Sequence, residues 1–261
     1  MNFDFKKSLG QNFLVDKNII NKIIDSIDVN PDDLIIEIGP GAGSLTEELI
    51  KKDCDLICFE IDTRLKQYLN KFESNKSKII YNDFLKVKID DYINKNYNHV
   101  FFVGNLPYYI TTAIINKIIA DCNPYEIIIM IQKEVAQRYM AKPKSKLYNS
   151  LSVFLQYNFE IKKICDVSKE CFNPKPKVDS IVLRLKSKLE KEKIKDIEFF
   201  EVFVKRCFSQ KRKNLKNNLK NYNYNLDLIN ETLMEYGKSI LNRAEEIEIN
   251  EFIDIVNKLK S

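Results

Sequence analysis

Short runs of β-branched and aromatic residues recur through the first half of the chain, each bounded by polar or glycine-containing stretches. Leu34–Ile38, Leu56–Glu60, Ile79–Asn82, His99–Gly104 and Glu126–Gln132 are of this kind. Apolar runs without strict alternation are what strands covered on both faces require. Between them lie stretches with helical spacing, such as Ser44–Lys52 and Thr63–Phe72. The alternation predicts a parallel, doubly wound α/β sheet. After Gln132 the pattern predicts a helix over Lys133–Met140, a basic loop around Lys142–Lys146 and a helix near Asn149–Gln156. Strands follow at Ile161–Val167 and Val178–Leu185, separated by the Pro-rich turn Phe172–Pro176. Lys186–Lys195 is almost wholly charged and reads as a linker. Ile197–Ser261 keeps helical periodicity without a strand pattern. The expected organisation is one domain over residues 1–187 and a small all-helical domain over 188–261.

The chemistry gathers where the predicted strands end. Leu34–Ile38 runs into Gly39-Pro40-Gly41-Ala42-Gly43, with a helix expected next. Glycines there let the backbone approach a ligand, and a helix N-terminus adds donors. The loop is G-x-G-x-G, and Ser44 stands where a dinucleotide fingerprint would place its third glycine. That favours another nucleoside cofactor over NAD, although short glycine loops also occur as bare turns. Glu60 closes the second strand, about twenty residues on, where a carboxylate can accept both ribose hydroxyls. Asp83 closes the third and could accept from an adenine amino group; standing alone, either carboxylate could be a solvated strand end.

The fourth strand leads into Gly104-Asn105-Leu106-Pro107-Tyr108-Tyr109. A planar exocyclic amine is a poor nucleophile because its lone pair is delocalised into the ring. Acceptors held in the plane of its N–H bonds orient it and favour rehybridisation, acting by preorganised electrostatics. The Asn105 side-chain oxygen and the Leu106 carbonyl are suited to that work. Pro107 fixes the loop, and Tyr108 offers a π-face to an extruded base. The bland reading is an Asn-Pro turn beside a core tyrosine.

Composition changes this picture little. Apolar content of 44% and charged content of 30% are ordinary for a globular protein. No apolar run is long enough to span a bilayer, and Met1–Phe13 lacks the apolar core of a signal peptide, so no membrane partner and a cytoplasmic site are expected. Six scattered cysteines and a single histidine, His99, argue against a metal site and against a cysteine nucleophile. The net charge of +5 is mild, but it is unevenly placed. Phe203–Lys220 carries Lys205, Arg206, Lys211, Arg212, Lys213, Lys216 and Lys220 with no acid, while Phe203, Cys207, Leu215 and Leu219 recur at helical spacing. A basic helix packing these inward and contacting RNA phosphates is expected; the alternative is a solvated face. Lys142–Lys146, Lys175 and Lys177 are weaker candidates for the same role.

Several motifs together resemble the ribosomal RNA adenine N6-dimethyltransferase family of the bacterial small-subunit type. They are Lys7-Ser8-Leu9-Gly10-Gln11-Asn12-Phe13-Leu14, Glu37–Gly41, Asn105–Tyr108, Phe172–Ser180, Phe208–Lys213 and Asn242–Glu246, which reach from about residue 7 to the C-terminal region. The resemblance implies a Rossmann-like S-adenosylmethionine-dependent methyltransferase domain followed by a helical one. It implies dimethylation of two adjacent adenosines near the 3′ end of small-subunit ribosomal RNA, with S-adenosylmethionine as co-substrate; on the cysteine and histidine pattern above, no metal is expected. It further implies cofactor contacts from Asn12, Leu14, Gly39, Glu60, Asp83 and Asn105, and Phe172 as a second aromatic near the flipped base. The expected partner is the immature small subunit, met by a monomer. Two other readings remain open at this point. One is a large-subunit adenine methylase of the antibiotic-resistance type. The other is an RNA-binding ribosome-assembly factor whose methyl transfer is incidental.

Overall fold

The computed structural model describes residues 11–93, 95–107, 109–122 and 124–261. The described chain falls into two compact units. One holds the residues up to Ala136 together with Lys162–Ser187; the other holds Gln137–Ile161 and Lys188–Ser261.

The first unit opens with β1 (Phe13–Leu14) and α1 (Lys17–Asp25). Asp16 caps α1, accepting from the backbone N–H of Asn18 and Ile19. The helix buries Ile19, Ile20 and Ile23, and so packs by one apolar face. There follow β2 (Leu34–Ile38), the short α2 (Thr46–Leu49), β3 (Asp55–Glu60), α3 (Lys66–Leu69) and β4 (Ser77–Tyr81). Then come β5 (Val100–Asn105), α4 (Thr111–Asp121), β6 (Glu126–Gln132) and α5 (Lys133–Tyr139). All five residues of β2 are buried, which is why its sequence shows no alternation. After α6 (Ser150–Asn158), the chain adds β7 (Phe159–Val167), β8 (Phe172–Asn173) and β9 (Ser180–Ser187).

Seven strands form one sheet in the order β4-β3-β2-β5-β6-β9-β7. Neighbours from β4 to β6 are parallel, and β9 runs antiparallel to β6. The chain builds outward from β2 to β3 and β4, then returns to the other side of β2 with β5. The strand order therefore reverses between β2 and β5, and a crevice opens at their C-terminal ends. A separate antiparallel pair joins β1 to β8, with Leu14 opposite Phe172. The α/β, Rossmann-like expectation holds, and each predicted strand is present with ends shifted by at most two residues.

The second unit is built on α6, α7 (Ile197–Cys207), α8 (Leu215–Leu219), α9 (Leu226–Met234) and α10 (Ile249–Leu259). Phe200, Phe203, Val204 and Cys207 of α7 are buried at helical spacing, and Phe252, Ile255 and Val256 of α10 join the same core. A single cut after residue 187 is incomplete. Ala141, Tyr148 and Val153 belong to this helical core, so Gln137–Ile161 is set inside the α/β sequence but packs with the later helices. Among the described residues no helix is long and apolar enough to cross a membrane.

Candidate active site at the switch point of the sheet

A cavity of about 920 Å³, open mouth included, occupies the crevice. Its walls include Asn12, Leu14, Glu37, Gly39, Gly41, Glu60, Asp83, Asn105 and Pro107. These come from five separate stretches of chain, so the fold assembles the whole cofactor set expected from sequence.

The floor is the loop after β2. Gly39 (φ 72°) and Gly41 (φ 59°) lie in the left-handed region, which L side chains rarely adopt. A Cβ on Gly41 would also stand 3.0 Å from the ring of Phe13. The loop is held by its neighbours: Gly39 donates its N–H to the Phe59 carbonyl at 2.9 Å, and Gly41 donates to Glu60 Oε2 at 3.0 Å. The other Glu60 oxygen accepts from the Asp62 N–H at 2.9 Å. Both carboxylate oxygens are thus fixed by backbone donors, and each keeps capacity to accept again. Burial raises the Glu60 pKa, against the pull of the Asp62 and Gly41 N–H groups.

Glu37, which sequence reading quoted only as part of a motif, lies beneath the same loop and is 1% exposed. Its Oε2 accepts from the Thr46 hydroxyl at 2.7 Å and from the Cys58 thiol at 3.4 Å. Burial pushes its pKa to about 7, with the Glu60 charge adding to the rise. A carboxyl inside an otherwise apolar strand run, two residues before a glycine loop, is the signal that could have singled it out.

Asn105 ends β5 on the other side of the crevice. Its Nδ2 donates to the carbonyl of Asn12 at 2.7 Å. With the amine end engaged there, Oδ1 is the acceptor that remains. Gly104 makes this placement possible, because a Cβ there would lie 2.6 Å from the Ile38 carbonyl oxygen. The N-terminal segment is tied down twice more: Gln11 Nε2 donates to Asp62 Oδ2 at 2.8 Å, and the Val15 N–H to the Cys171 carbonyl at 2.9 Å. Asn12 and Leu14 reach the cavity by this route.

Leu106 is buried at 1% exposure, and its N–H points to the Met130 carbonyl at 3.3 Å. The Pro107 carbonyl accepts from the Thr111 hydroxyl at 3.1 Å and from the Ile110 N–H at 3.2 Å, which ties the loop to the start of α4. Tyr108 lies outside the described residues. Asp83 lines the cavity and is steadied by the Leu85 N–H on Oδ1 at 3.0 Å. Phe172 is placed differently from the expectation. It pairs with Leu14 through β8, is 4% exposed and belongs to the apolar core, not to the cavity wall. The pairing that orders the N-terminal segment is what buries it.

The basic segment of the helical unit is not one helix. α7 stops at Cys207, and Lys211, Arg212 and Lys213 fall in the turn before α8. Asn214 restarts the helix, its side chain accepting from the Asn217 N–H at 2.9 Å. The expected inward residues Phe203, Cys207, Leu215 and Leu219 are all fully buried. Lys211 donates its ammonium to the carbonyl of Lys146, so the turn and the Lys142–Lys146 loop become neighbours. Lys211, Arg212, Lys213 and Lys216 are exposed. Lys205 pairs with Glu201 at 3.5 Å. Arg206 is engaged within the unit, donating to the Tyr224 hydroxyl at 2.7 Å and lying 4.1 Å from the Tyr222 ring centroid.

A family model described as ribosomal RNA adenine dimethylase matches residues 2–261. A ribosomal RNA small subunit methyltransferase A of Mycoplasma mobile is 42% identical over 252 residues, covering 96% of both chains. One of Lactobacillus johnsonii is 40% identical over 269 residues, covering 98% of this chain and 90% of its own. Among solved structures, a dimethyladenosine transferase from Plasmodium falciparum superposes with a TM-score of 0.76 at 24% identity, covering 95% of this chain and 97% of that one. The 23S rRNA methyltransferase ErmE gives 0.74 at 25% identity, covering 96% and 100%.

Proposed function

The chain belongs to the ribosomal RNA adenine dimethylase family, and from that premise we propose how its residues divide the work. It is an S-adenosylmethionine-dependent enzyme that dimethylates adenine in small-subunit ribosomal RNA. The targets are two adjacent adenosines near the 3′ end of that RNA, presented by an immature small subunit to a monomeric, cytoplasmic enzyme. The observation that carries the assignment of roles is the fixed Asn105 amide, on a residue that lines the same cavity as Glu60 and the glycine loop.

S-adenosylmethionine supplies an electrophilic methyl group. Glu60 holds the ribose hydroxyls and Asp83 the adenine amine of that co-substrate, while Gly39 and Gly41 bring backbone close to it. Glu37 places a carboxyl where the cationic end of the molecule needs a counter-charge. Asn105 Oδ1 and the Leu106 carbonyl accept from the target amine and turn its lone pair toward the methyl group. Tyr108 carries the face of the extruded base. The direct test is to incubate the protein with labelled S-adenosylmethionine and immature small subunits, then map modified nucleosides by mass spectrometry. Label on adenosines outside the 3′ region, or on no adenosine, would overturn the assignment.

Glu60→Ala should weaken S-adenosylmethionine binding by about 1.5–3 kcal/mol, the worth of charge-assisted hydrogen bonds lost without replacement. Calorimetry on the folded variant checks this, and an unchanged affinity removes Glu60 from the ribose site.

The exposed turn of the helical unit sets RNA affinity in this proposal. Replacing Lys211, Arg212 and Lys213 with Gln should weaken RNA binding and leave S-adenosylmethionine affinity alone. If all three contact phosphates, the slope of log K against log salt should flatten by up to about 2.7. Filter binding over a salt series measures it. An unchanged slope in a folded variant would make these charges a solvated face. Lys205 and Arg206, with partners of their own, should contribute less.

A further inference from the structure

Most exposed aromatic rings of the described residues have a use within the fold. Tyr222 is 38% exposed and lies under the Arg206 guanidinium; Tyr236 is 38% exposed and donates its hydroxyl to Asp254 at 2.9 Å. Tyr109 is different. It is 65% exposed, and among the described residues its ring meets no other ring, cation or hydrogen-bond partner. It stands between Pro107 and Ile110, both of which line the active-site cavity. The backbone around it is pinned at both ends: Thr111 and Ile110 donate to the Pro107 carbonyl, and the Ile114 N–H donates to the Ile110 carbonyl at 2.9 Å. An aromatic ring carried on a fixed turn at the rim of an active site binds a flat partner with little ordering cost.

The reaction presents such a partner. To bring an exocyclic amine into the cavity, the adenine must leave its stack, and the neighbouring base then loses one stacking face. An aromatic side chain restores that contact whatever the base, since every base has a π-face. We propose that Tyr109 stacks on the base of the nucleotide adjacent to the adenosine being methylated. This rests on the RNA adenine reading of the site. Where two adjacent adenosines are modified, one would stack on Tyr109 while the other reacts. Tyr109 is then a positioning residue that fixes the register of the strand, and its phenolic hydroxyl is not needed.

The test uses the full chain and small subunits lacking adenine methylation. Tyr109→Ala should raise the KM for subunits about 5- to 150-fold, the range expected for one lost base stack, with kcat and S-adenosylmethionine affinity nearly unchanged. Tyr109→Phe should restore the wild-type KM. Tyr109→p-benzoylphenylalanine should photo-cross-link to the nucleotide beside a methylated adenosine, located by primer extension. The proposal is overturned if Tyr109→Phe is as damaged as Tyr109→Ala, if kcat falls while KM holds, or if the cross-link maps away from the methylated nucleotides. Failure of the wild-type protein to methylate adenosines in these subunits would overturn the substrate reading, and this proposal with it. Normal methylation with no effect at Tyr109 overturns the proposal alone.

Discussion

Asn105→Ala should slow methyl transfer by about 10²–10³, far more than it weakens S-adenosylmethionine binding, on the scale of losing one preorganised dipole at a reacting centre. The Asn105 amide is locked by its own donation to the Asn12 carbonyl, so its oxygen costs no reorganisation when the target amine arrives. Its interaction with that amine strengthens as the nitrogen gains positive charge, so the loss falls on the rate and not on ground-state binding. Asn105→Asp separates the two features. It keeps an acceptor but can no longer donate to Asn12, and an intermediate rate is expected. Single-turnover kinetics at saturating co-substrate make the measurement. A rate for Asn105→Ala within a few-fold of wild type would leave Asn105 as a link to the N-terminal segment and nothing more.

Much of this site was legible in the sequence because its residues sit at strand ends. A parallel sheet brings the C-terminal ends of its strands to one edge. Once Leu34–Ile38, Leu56–Glu60 and His99–Gly104 are read as strands, Gly39, Glu60 and Asn105 must gather there without further knowledge of packing. Gly104 was visible as a glycine, yet its reason was not. Only the three-dimensional approach of the Ile38 carbonyl shows that a side chain has no room.

Other features were illegible for physical reasons. β1 and β8 are two-residue strands more than 150 positions apart, too short to leave a pattern, yet their pairing brings Leu14 to the cavity and buries Phe172. The basic segment kept helical spacing at Phe203, Cys207, Leu215 and Leu219 across a turn, because both flanking helices bury one face in the same core. Periodicity therefore suggested one helix where there are two. The grouping of Tyr148 and Val153 with α7 and α10 is likewise a tertiary choice with no local signal.

Glu37→Gln should make the free protein more stable above neutral pH and remove a pH dependence that the wild type shows. The Glu37 pKa is about 7 in the folded chain, against 4.5 for an ordinary glutamate, and burial is the main cause. A carboxyl with a raised folded pKa keeps its proton in the native state after the unfolded chain has released its own. Stability therefore falls as pH rises from about 4.5 to about 7, and stays at the lower level beyond. At about 1.4 kcal/mol for each tenfold change in proton affinity, the accumulated cost above pH 7 approaches about 3 kcal/mol. Gln can still accept from Thr46, so its shape and that hydrogen bond survive while the charge does not. The same carboxyl should favour the cationic co-substrate. Below about pH 7 binding should release a proton from Glu37, and affinity should climb with pH toward a plateau. In Glu37→Gln the climb should disappear and the plateau should fall, so stability and binding move in opposite directions. Urea denaturation and calorimetry from pH 5 to 9, on both proteins, measure the two effects. Parallel stability curves for wild type and variant would mean that Glu37 titrates normally, and that its negative charge is already present when the co-substrate arrives.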